Sequence, residues 1–239
     1  MKKKIQKNEE KNILLCSFTE TKFSFYNYLK NTKKNYSKKS KIFLSNIEKN
    51  TFHNYFDNFI KIPKFSKKNL SKIISILEKN HIKLVIPTSD QELRFWSQNN
   101  NYFEQRNIKI HIMTYEKIIH FLNKKNFYYF CKNKNILTPE IYSLKNLPAN
   151  SKMVLKEMEN DKYKGMVMTN LNKNKIKLNI KKYQKLLIQQ FINGQEYSID
   201  TWKSDKTKDF EFIIRKRLLV KNGDSKVTQI IKDKRIKKI

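Results

Sequence analysis

LLIQQFINGQEYSID, at residues 186–200, indicates the fold of this chain more clearly than any other stretch. Three apolar residues and two glutamines lead into an apolar elbow, an Asn-Gly turn signal and an alternating strand that carries Glu196. Alone, the pattern is typical of an Asn-Gly β-hairpin. It also suits a nucleotide site, in which a strand end reads the base through its backbone and one carboxylate binds the ribose.

Four further landmarks occur in a fixed order along the chain. They are LVIPTSDQEL at 84–93, Asn123-Lys124, Thr138-Pro139 and the strand MVLK at 153–156. With residues 186–200, this order resembles the ATP-grasp superfamily, in its carbamoyl-phosphate-synthase-like and pyrrolysine-ligase-like branch. Members of that superfamily phosphorylate a carboxylate with ATP and let an amine displace the phosphate. The resemblance therefore implies an ATP-dependent carboxylate–amine ligase that binds ATP and a small-molecule carboxylate.

The resemblance also assigns roles to eight residues. The adenine contacts are Gln189, Gln190 and Ile192, the ribose ligand is Glu196, the phosphate lysines are Lys124 and Lys156, and the catalytic residues are Arg215 and Arg217. The two arginines lie two residues apart on a strand at 212–220, so both point to one face. There they suit phosphoryl or acyl-phosphate oxygens, because a guanidinium can donate two parallel hydrogen bonds. A solvated basic strand face is the alternative for this pair.

The predicted fold class is α/β. Short apolar runs alternate with helical periods in the first half, which predicts a parallel sheet. The strands are expected at 12–16, 41–44, 83–86 and 108–113, and the helices at 22–31, 69–80 and 92–104. In the terms of the resemblance, residues 1–115 form a Rossmann-like pre-ATP-grasp domain. Residues 116–185 form the small ATP-grasp lobe, and residues 186–239 an incomplete C-terminal lobe.

Two departures from the family concern catalysis. The Gly-rich phosphate loop is reduced to Gly165, with Lys162 and Lys164 beside it. The Mg²⁺ that the family requires has no matching ligands here, because only Asp224 and Asp233 are acidic after Arg217. We therefore expect the chain alone to be inactive and a partner chain to supply the missing segment. A fragment, a truncated gene product and half of a split enzyme all stay open, as does a nucleotide-binding protein without catalysis.

The formal net charge of +31 raises the alternative of a basic nucleic-acid-binding protein. Almost all of this charge is lysine, with arginine at only five positions, whereas base and bidentate phosphate recognition favours arginine. The lysines are scattered among Asn and Ile, so we interpret them as a solvated surface in preference to a nucleic-acid-binding face. Only three glycines occur, far apart, which excludes a P-loop and a G-x-G-x-x-G motif.

Cysteine, histidine and hydropathy patterns predict a cytoplasmic protein without a metal centre. Cys16 and Cys131 lack a C-x-x-C partner and suit a reducing compartment, and the four histidines have no metal-ligand spacing. No apolar run is long enough for a signal peptide or a membrane span.

Overall fold

The structure is a computed structural model. It describes residues 11–48, 54–56, 58–148, 151–158, 166–168, 186–203, 209–221, 224–233 and 235–236. The chain divides into two units, Met1–Leu122 and Asn123–Ile239.

A parallel five-stranded sheet organises the first unit, in the order β3-β2-β1-β4-β5. Its strands are β1 Asn12–Leu15, β2 Ile42–Asn46, β3 Phe59–Lys61, β4 Ile82–Ile86 and β5 Lys109–Ile110. Its helices are α1 Phe23–Thr32, α2 Leu70–Lys79, α3 Asp90–Gln98, α4 Asn100–Glu104 and α5 Tyr115–Leu122. The predicted parallel α/β fold of this half is confirmed.

Both faces of this sheet are buried, as the continuous apolar runs predict. Leu14 and Val85 belong to one core cluster with Trp96 and Phe103 of the α3–α4 region. Ile13 and Leu15 point to the other face and pack with Phe18 and Leu44. The alternation along β1 thus divides its side chains between two cores.

Two local expectations differ from the structure. The helix expected over 92–104 is two helices that break at Asn99, and it begins earlier, at Asp90. Glu92 explains the earlier start, because its Oε1 accepts hydrogen bonds from the N–H groups of Thr88 (2.8 Å) and Ser89 (3.0 Å) ahead of the helix. The strand expected at 108–113 is only two residues long, Lys109–Ile110.

The described residues of the second unit include one helix, α6 Lys124–Asn133, and two sheets. A four-stranded antiparallel sheet, in the order β6-β9-β7-β8, contains β6 Ile141–Tyr142, β7 Met153–Glu157, β8 Met166–Met168 and β9 Leu186–Gln190. A three-stranded antiparallel sheet, in the order β10-β11-β12, contains β10 Tyr197–Lys203, β11 Phe210–Lys221 and β12 Asp224–Ile231.

The Asn-Gly segment at 193–194 does not form a β-hairpin. Strand β9 pairs with β6 and β7, whereas β10 pairs with β11, so the chain passes from one sheet to the other between Gln190 and Tyr197. The hairpin interpretation of residues 186–200 is therefore wrong. Gly194 has a φ of +157°, an almost fully extended backbone.

The β10–β12 sheet exposes many apolar side chains. One face carries Ile199 (47% exposed) and Phe210 (57% exposed), and the opposite face carries Trp202, Ile213 and Ile230. An antiparallel sheet normally buries one face against another layer. Within the described residues, this sheet has no such cover over these side chains.

Candidate nucleotide site

A cavity of about 490 Å³ lies in the second unit. Its walls come from α6, from both sheets and from the segment that joins β9 to β10. Seven of the eight residues assigned from the sequence line it: Lys124, Lys156, Gln189, Gln190, Ile192, Glu196 and Arg217. Apolar Val154 and Phe191 line it as well. The structure thus brings together residues that are up to 93 positions apart in the sequence.

Lys156 and Gln189 meet on one face of the first sheet. Val154 is directly opposite Gln189, and Lys156 lies two residues further along the same strand, so all three side chains share a face. The Lys156 Nζ donates a hydrogen bond of 2.8 Å to Gln189 Oε1, and Gln189 Nε2 donates to the Pro139 carbonyl at 3.3 Å. Because Gln189 is only 9% exposed, its side chain is fixed against the strand.

The Lys156 ammonium is half-buried at the cavity wall. Burial lowers the pKa of Lys156 below its usual 10.5, and the nearby charge of Glu196 opposes this shift. A buried ammonium that keeps a single neutral acceptor has unused capacity for an anion. Lys156 is therefore well suited to a phosphate oxygen.

Gln190 is held by the segment that precedes β6. Its N–H donates to the Glu140 carbonyl at 2.8 Å, and its side-chain Oε1 accepts from the Glu140 N–H at 3.2 Å. The following elbow, 191–193, lies outside both sheet ladders. Its backbone polar groups are consequently not used in strand pairing, and Ile192 beside them is 59% exposed.

Glu196 and Arg217 form an ion pair at the cavity wall. Arg217 Nη1 donates to Glu196 Oε2, and the Arg217 N–H donates to the Glu196 carbonyl at 3.0 Å. The Glu196 side chain is 62% exposed, whereas that of Arg217 is 19% exposed. Glu196 is thus the accessible member of the pair.

Arg215 does not line the cavity. It shares a face of β11 with Arg217, as the two-residue spacing predicts, but its guanidinium makes a bidentate ion pair with Asp200, with Nη2–Oδ1 at 2.9 Å. The structure therefore brings one of the two predicted arginines to the site and places the other in a neighbouring ion pair of the same strands.

Lys124 begins helix α6. The Asn123 side chain caps this helix by accepting from the N–H groups of Lys125 and Asn126, both at 3.0 Å. The Lys124 N–H donates to the Met158 carbonyl at 2.8 Å, which links the helix start to the end of β7. Lys124 and Lys156 are brought to one cavity by this connection.

Cations outnumber anions on the cavity wall. Lys124, Lys156 and Arg217 face a single carboxylate, that of Glu196. Across the described residues, no group of three or more His, Cys, Asp or Glu side chains could hold a metal ion. Asp233 is engaged by Arg235 at 2.9 Å, which lowers the pKa of Asp233 to about 2. These donors fit a nucleotide polyphosphate, but they do not fit a Mg²⁺ ion.

Several sequence assignments lie elsewhere. The Gly-loop residues Lys162, Lys164 and Gly165 fall outside the described residues. A larger cavity, of about 1080 Å³, lies in the first unit between α3, α4 and the start of α5, and none of the eight assigned residues lines it.

Cys16 and Cys131 are buried free thiols. No described helix has the length and apolar character needed to cross a membrane.

The comparisons agree with this architecture. Residues 13–111 match the family model of the PylC-like, N-terminal domain. The fold is similar to that of the biotin carboxylase–β,γ-ATP complex from Campylobacter jejuni, with 14% identity, a TM-score of 0.60, and 90% of this chain and 53% of that chain covered. It is also similar to the ADP complex of N5-carboxyaminoimidazole ribonucleotide synthetase, with 10% identity, a TM-score of 0.64, and 90% and 55% covered.

A third structure, D-alanine–D-alanine ligase from Bacillus anthracis with ATP, has 10% identity and a TM-score of 0.55, with 94% of this chain and 71% of that chain covered. No curated relative matches by sequence. All three structures belong to the ATP-grasp superfamily, and the chain spans about half the length of the first two. The chain therefore has the ATP-grasp type of fold over the part that is covered.

Proposed function

We propose that this chain binds ATP in the cavity of its second unit and serves a carboxylate–amine ligase reaction of the ATP-grasp type. One observation carries the proposal: seven residues assigned from sequence line a single cavity. The match of residues 13–111 to a PylC-like N-terminal domain supports placing the chain in the pyrrolysine-ligase-like branch.

The base is bound at the elbow after β9. The backbone of residues 191–193 is outside the ladders and can present donors and acceptors to the adenine edge, while Val154, Phe191 and Ile192 provide apolar contact. Since the Gln189 and Gln190 side chains are engaged by Lys156 and Glu140, these two residues contribute by shaping the slot.

The polyphosphate lies towards the lysines. Lys156 offers a half-buried ammonium and Lys124 a second one, and in a partly desolvated cavity such charges act more strongly on an anion than they would in water. Glu196 accepts hydrogen bonds from the ribose hydroxyls. In a ligase reaction, cations at this wall stabilise the charge that develops on the transferred phosphoryl oxygens.

Of the two predicted arginines, Arg217 lines the cavity, where its guanidinium is paired with Glu196. Arg215 serves the same reaction only if its pair with Asp200 opens. A small-molecule carboxylate, the second substrate of such ligases, requires a cation of this kind.

We further propose that a second polypeptide segment covers the β10–β12 sheet and carries the Mg²⁺ ligands. The exposed apolar side chains of that sheet support this proposal, since patches of this type commonly mark interaction surfaces. The cavity itself offers only Glu196, already paired with Arg217. We expect the chain alone to bind ATP without turning it over at an enzyme-like rate.

Calorimetry with ATP on the whole chain tests the binding proposal. Binding that is lost in Lys156→Ala supports it, and no detectable ATP binding by the wild type overturns it. An ADP-release assay with amino-acid carboxylates tests the second part, because Mg²⁺-dependent turnover near the enzyme median of ~10 s⁻¹ contradicts inactivity of the isolated chain. Binding to single-stranded oligonucleotides that falls steeply with salt, without ATP binding, identifies a nucleic-acid-binding protein instead.

A further inference from the structure

Two ion pairs join arginines of β11 to acidic residues, Asp200 within β10 and Glu196 just before it, but only one of them reaches the cavity. Arg217 pairs with Glu196 at the cavity wall, and Arg215 pairs with Asp200 further along the same strands, outside it. Both pairs lie on one face of the sheet and have the same chemistry. Their difference in location indicates that the Arg217–Glu196 pair has a role in the site in addition to any role in strand pairing.

Three hydrogen bonds stabilise the backbone around this ion pair. The Arg217 N–H donates to the Glu196 carbonyl at 3.0 Å, and Gln195 Nε2 donates to the carbonyls of Arg217 (2.9 Å) and Glu196 (3.1 Å). These bonds fix the two Cα positions relative to each other. The ion pair then selects one orientation of the Glu196 carboxylate.

Glu196 needs such an orientation, because its side chain is 62% exposed and would otherwise sample several rotamers. Arg217 engages Oε2, which leaves Oε1 and the second lone pair of Oε2 to accept from an incoming ligand. Two hydroxyls on adjacent carbons can donate to one carboxylate at the same time. A carboxylate held in place beforehand makes these bonds without the loss of rotamer freedom on binding.

We propose that Arg217 is a positioning residue: it holds Glu196 in the orientation that accepts from the cis-diol of a ribose, and so makes the cavity selective for ribonucleotides over deoxyribonucleotides. This inference rests on the proposed ATP site. It assigns Arg217 to the ribose end of the ligand, whereas the sequence resemblance assigned it to the transferred phosphoryl group. The two assignments predict different results when nucleotides with and without the 2′-hydroxyl are compared.

The test measures the dissociation constants of ATP and 2′-deoxy-ATP by calorimetry for the wild type, Arg217→Met and Lys216→Met. Lys216 is the matched control, because it is the adjacent residue, carries the same charge and points to the opposite face of β11. The wild type and Lys216→Met should bind ATP about tenfold more tightly than 2′-deoxy-ATP, which is the scale of one hydrogen bond to a charged group. In Arg217→Met, the dissociation constants of the two nucleotides should differ by less than about twofold, because this hydrogen bond is lost.

Thermal melting shows whether Arg217→Met is folded, and Arg217→Gln repeats the test if it is not. Weaker binding of both nucleotides in the Arg217 variants with an unchanged ratio overturns the inference and supports a phosphate role. A wild type that binds both nucleotides equally overturns the inference alone. A wild type that binds neither overturns the ATP site together with it.

Discussion

Lys156 Nζ and Gln189 Oε1 lie 2.8 Å apart across strands β7 and β9, although 33 residues separate them in the sequence. The acceptor is a neutral amide, so the lysine is oriented without being neutralised by it. This hydrogen bond consequently leaves the Lys156 ammonium able to bind an anionic ligand, with Glu196 as the nearby carboxylate.

Replacing Lys156 with alanine should weaken ATP binding by about 1.5–3 kcal/mol, the scale of a charge-assisted hydrogen bond. The effect should appear in calorimetry as a loss of affinity, with the melting temperature nearly unchanged. Lys125→Ala is the matched control, since it removes the same charge from the same unit at an exposed position that does not line the cavity. If both variants lose the same affinity for ATP, the loss comes from the change in net charge and not from a contact of Lys156.

The affinity for ATP should fall with rising pH before ordinary lysines titrate. Burial lowers the pKa of Lys156 below 10.5, so its ammonium is lost at a lower pH than that of an exposed lysine. The free energy of unfolding should change in the opposite direction. Burial penalises the charged form of Lys156, so this residue destabilises the fold at pH values below its lowered pKa. The penalty disappears as the pH rises towards 10.5. Calorimetry from pH 7 upward checks the binding trend, and Lys156→Arg should remove it.

Glu196→Gln should shift this pH dependence further. The carboxylate raises the pKa of Lys156, in opposition to burial, so its neutralisation should move the alkaline loss of ATP affinity to lower pH. The same variant should preserve the fold and discriminate less between ATP and 2′-deoxy-ATP. Identical pH profiles in wild type and variant would show that Glu196 and Lys156 do not interact in solution.

Glu92→Ala should destabilise the first unit by on the order of 3 kcal/mol, because it leaves buried donors without an acceptor. The lost bonds are those from the N–H groups of Thr88 and Ser89 and from Trp96 Nε1, which donates at 3.1 Å. Urea unfolding followed by tryptophan emission in a Trp202→Phe background isolates Trp96 and measures the change. A loss below about 1 kcal/mol would contradict this account of the buried carboxylate.

Asn123→Ala should cost about 1 kcal/mol, the typical value of a helix cap. The Asn123 side chain accepts from the N–H groups of Lys125 and Asn126, and Lys124 is the first residue of the helix. We therefore also expect weaker ATP binding through a less ordered Lys124. Asn123→Ser should retain most of the stability, because serine also caps helices.

The alternation of apolar runs with helical periods was sufficient to predict the parallel sheet of the first unit. Strand β3, Phe59–Lys61, was not predicted, because three residues between polar segments show no period. The predicted helix at 92–104 does not include the break at Asn99, since Phe95, Trp96 and Phe103 fit one continuous helical period. Such boundaries depend on local hydrogen bonds that periodicity does not report.

For the site, order along the chain identified the cavity-lining residues, but not their partners. Nothing in the spacing of Glu196 and Arg217 reveals that they form an ion pair, because strand register between β10 and β11 brings them together. The same register places Arg215 beside Asp200, away from the cavity. The alternation along β11 does not distinguish Arg215 from Arg217, because both lie on one strand face. Their environments differ only because they lie at different distances from the end of the sheet.

Because the chain passes from the β6–β9 sheet to the β10–β12 sheet, the backbone amides of the second unit belong to two separate sheets when they exchange with solvent. Without a ligand, each sheet closes its own hydrogen-bond ladder, so its amides can exchange in a separate opening event. A nucleotide that contacts Lys156 on one sheet and Glu196 on the other would add its binding free energy to both openings at once. Amide protons of β9 and β10 should then exchange with a common, slower rate, and the two sheets would behave as one cooperative element whenever the cavity is filled.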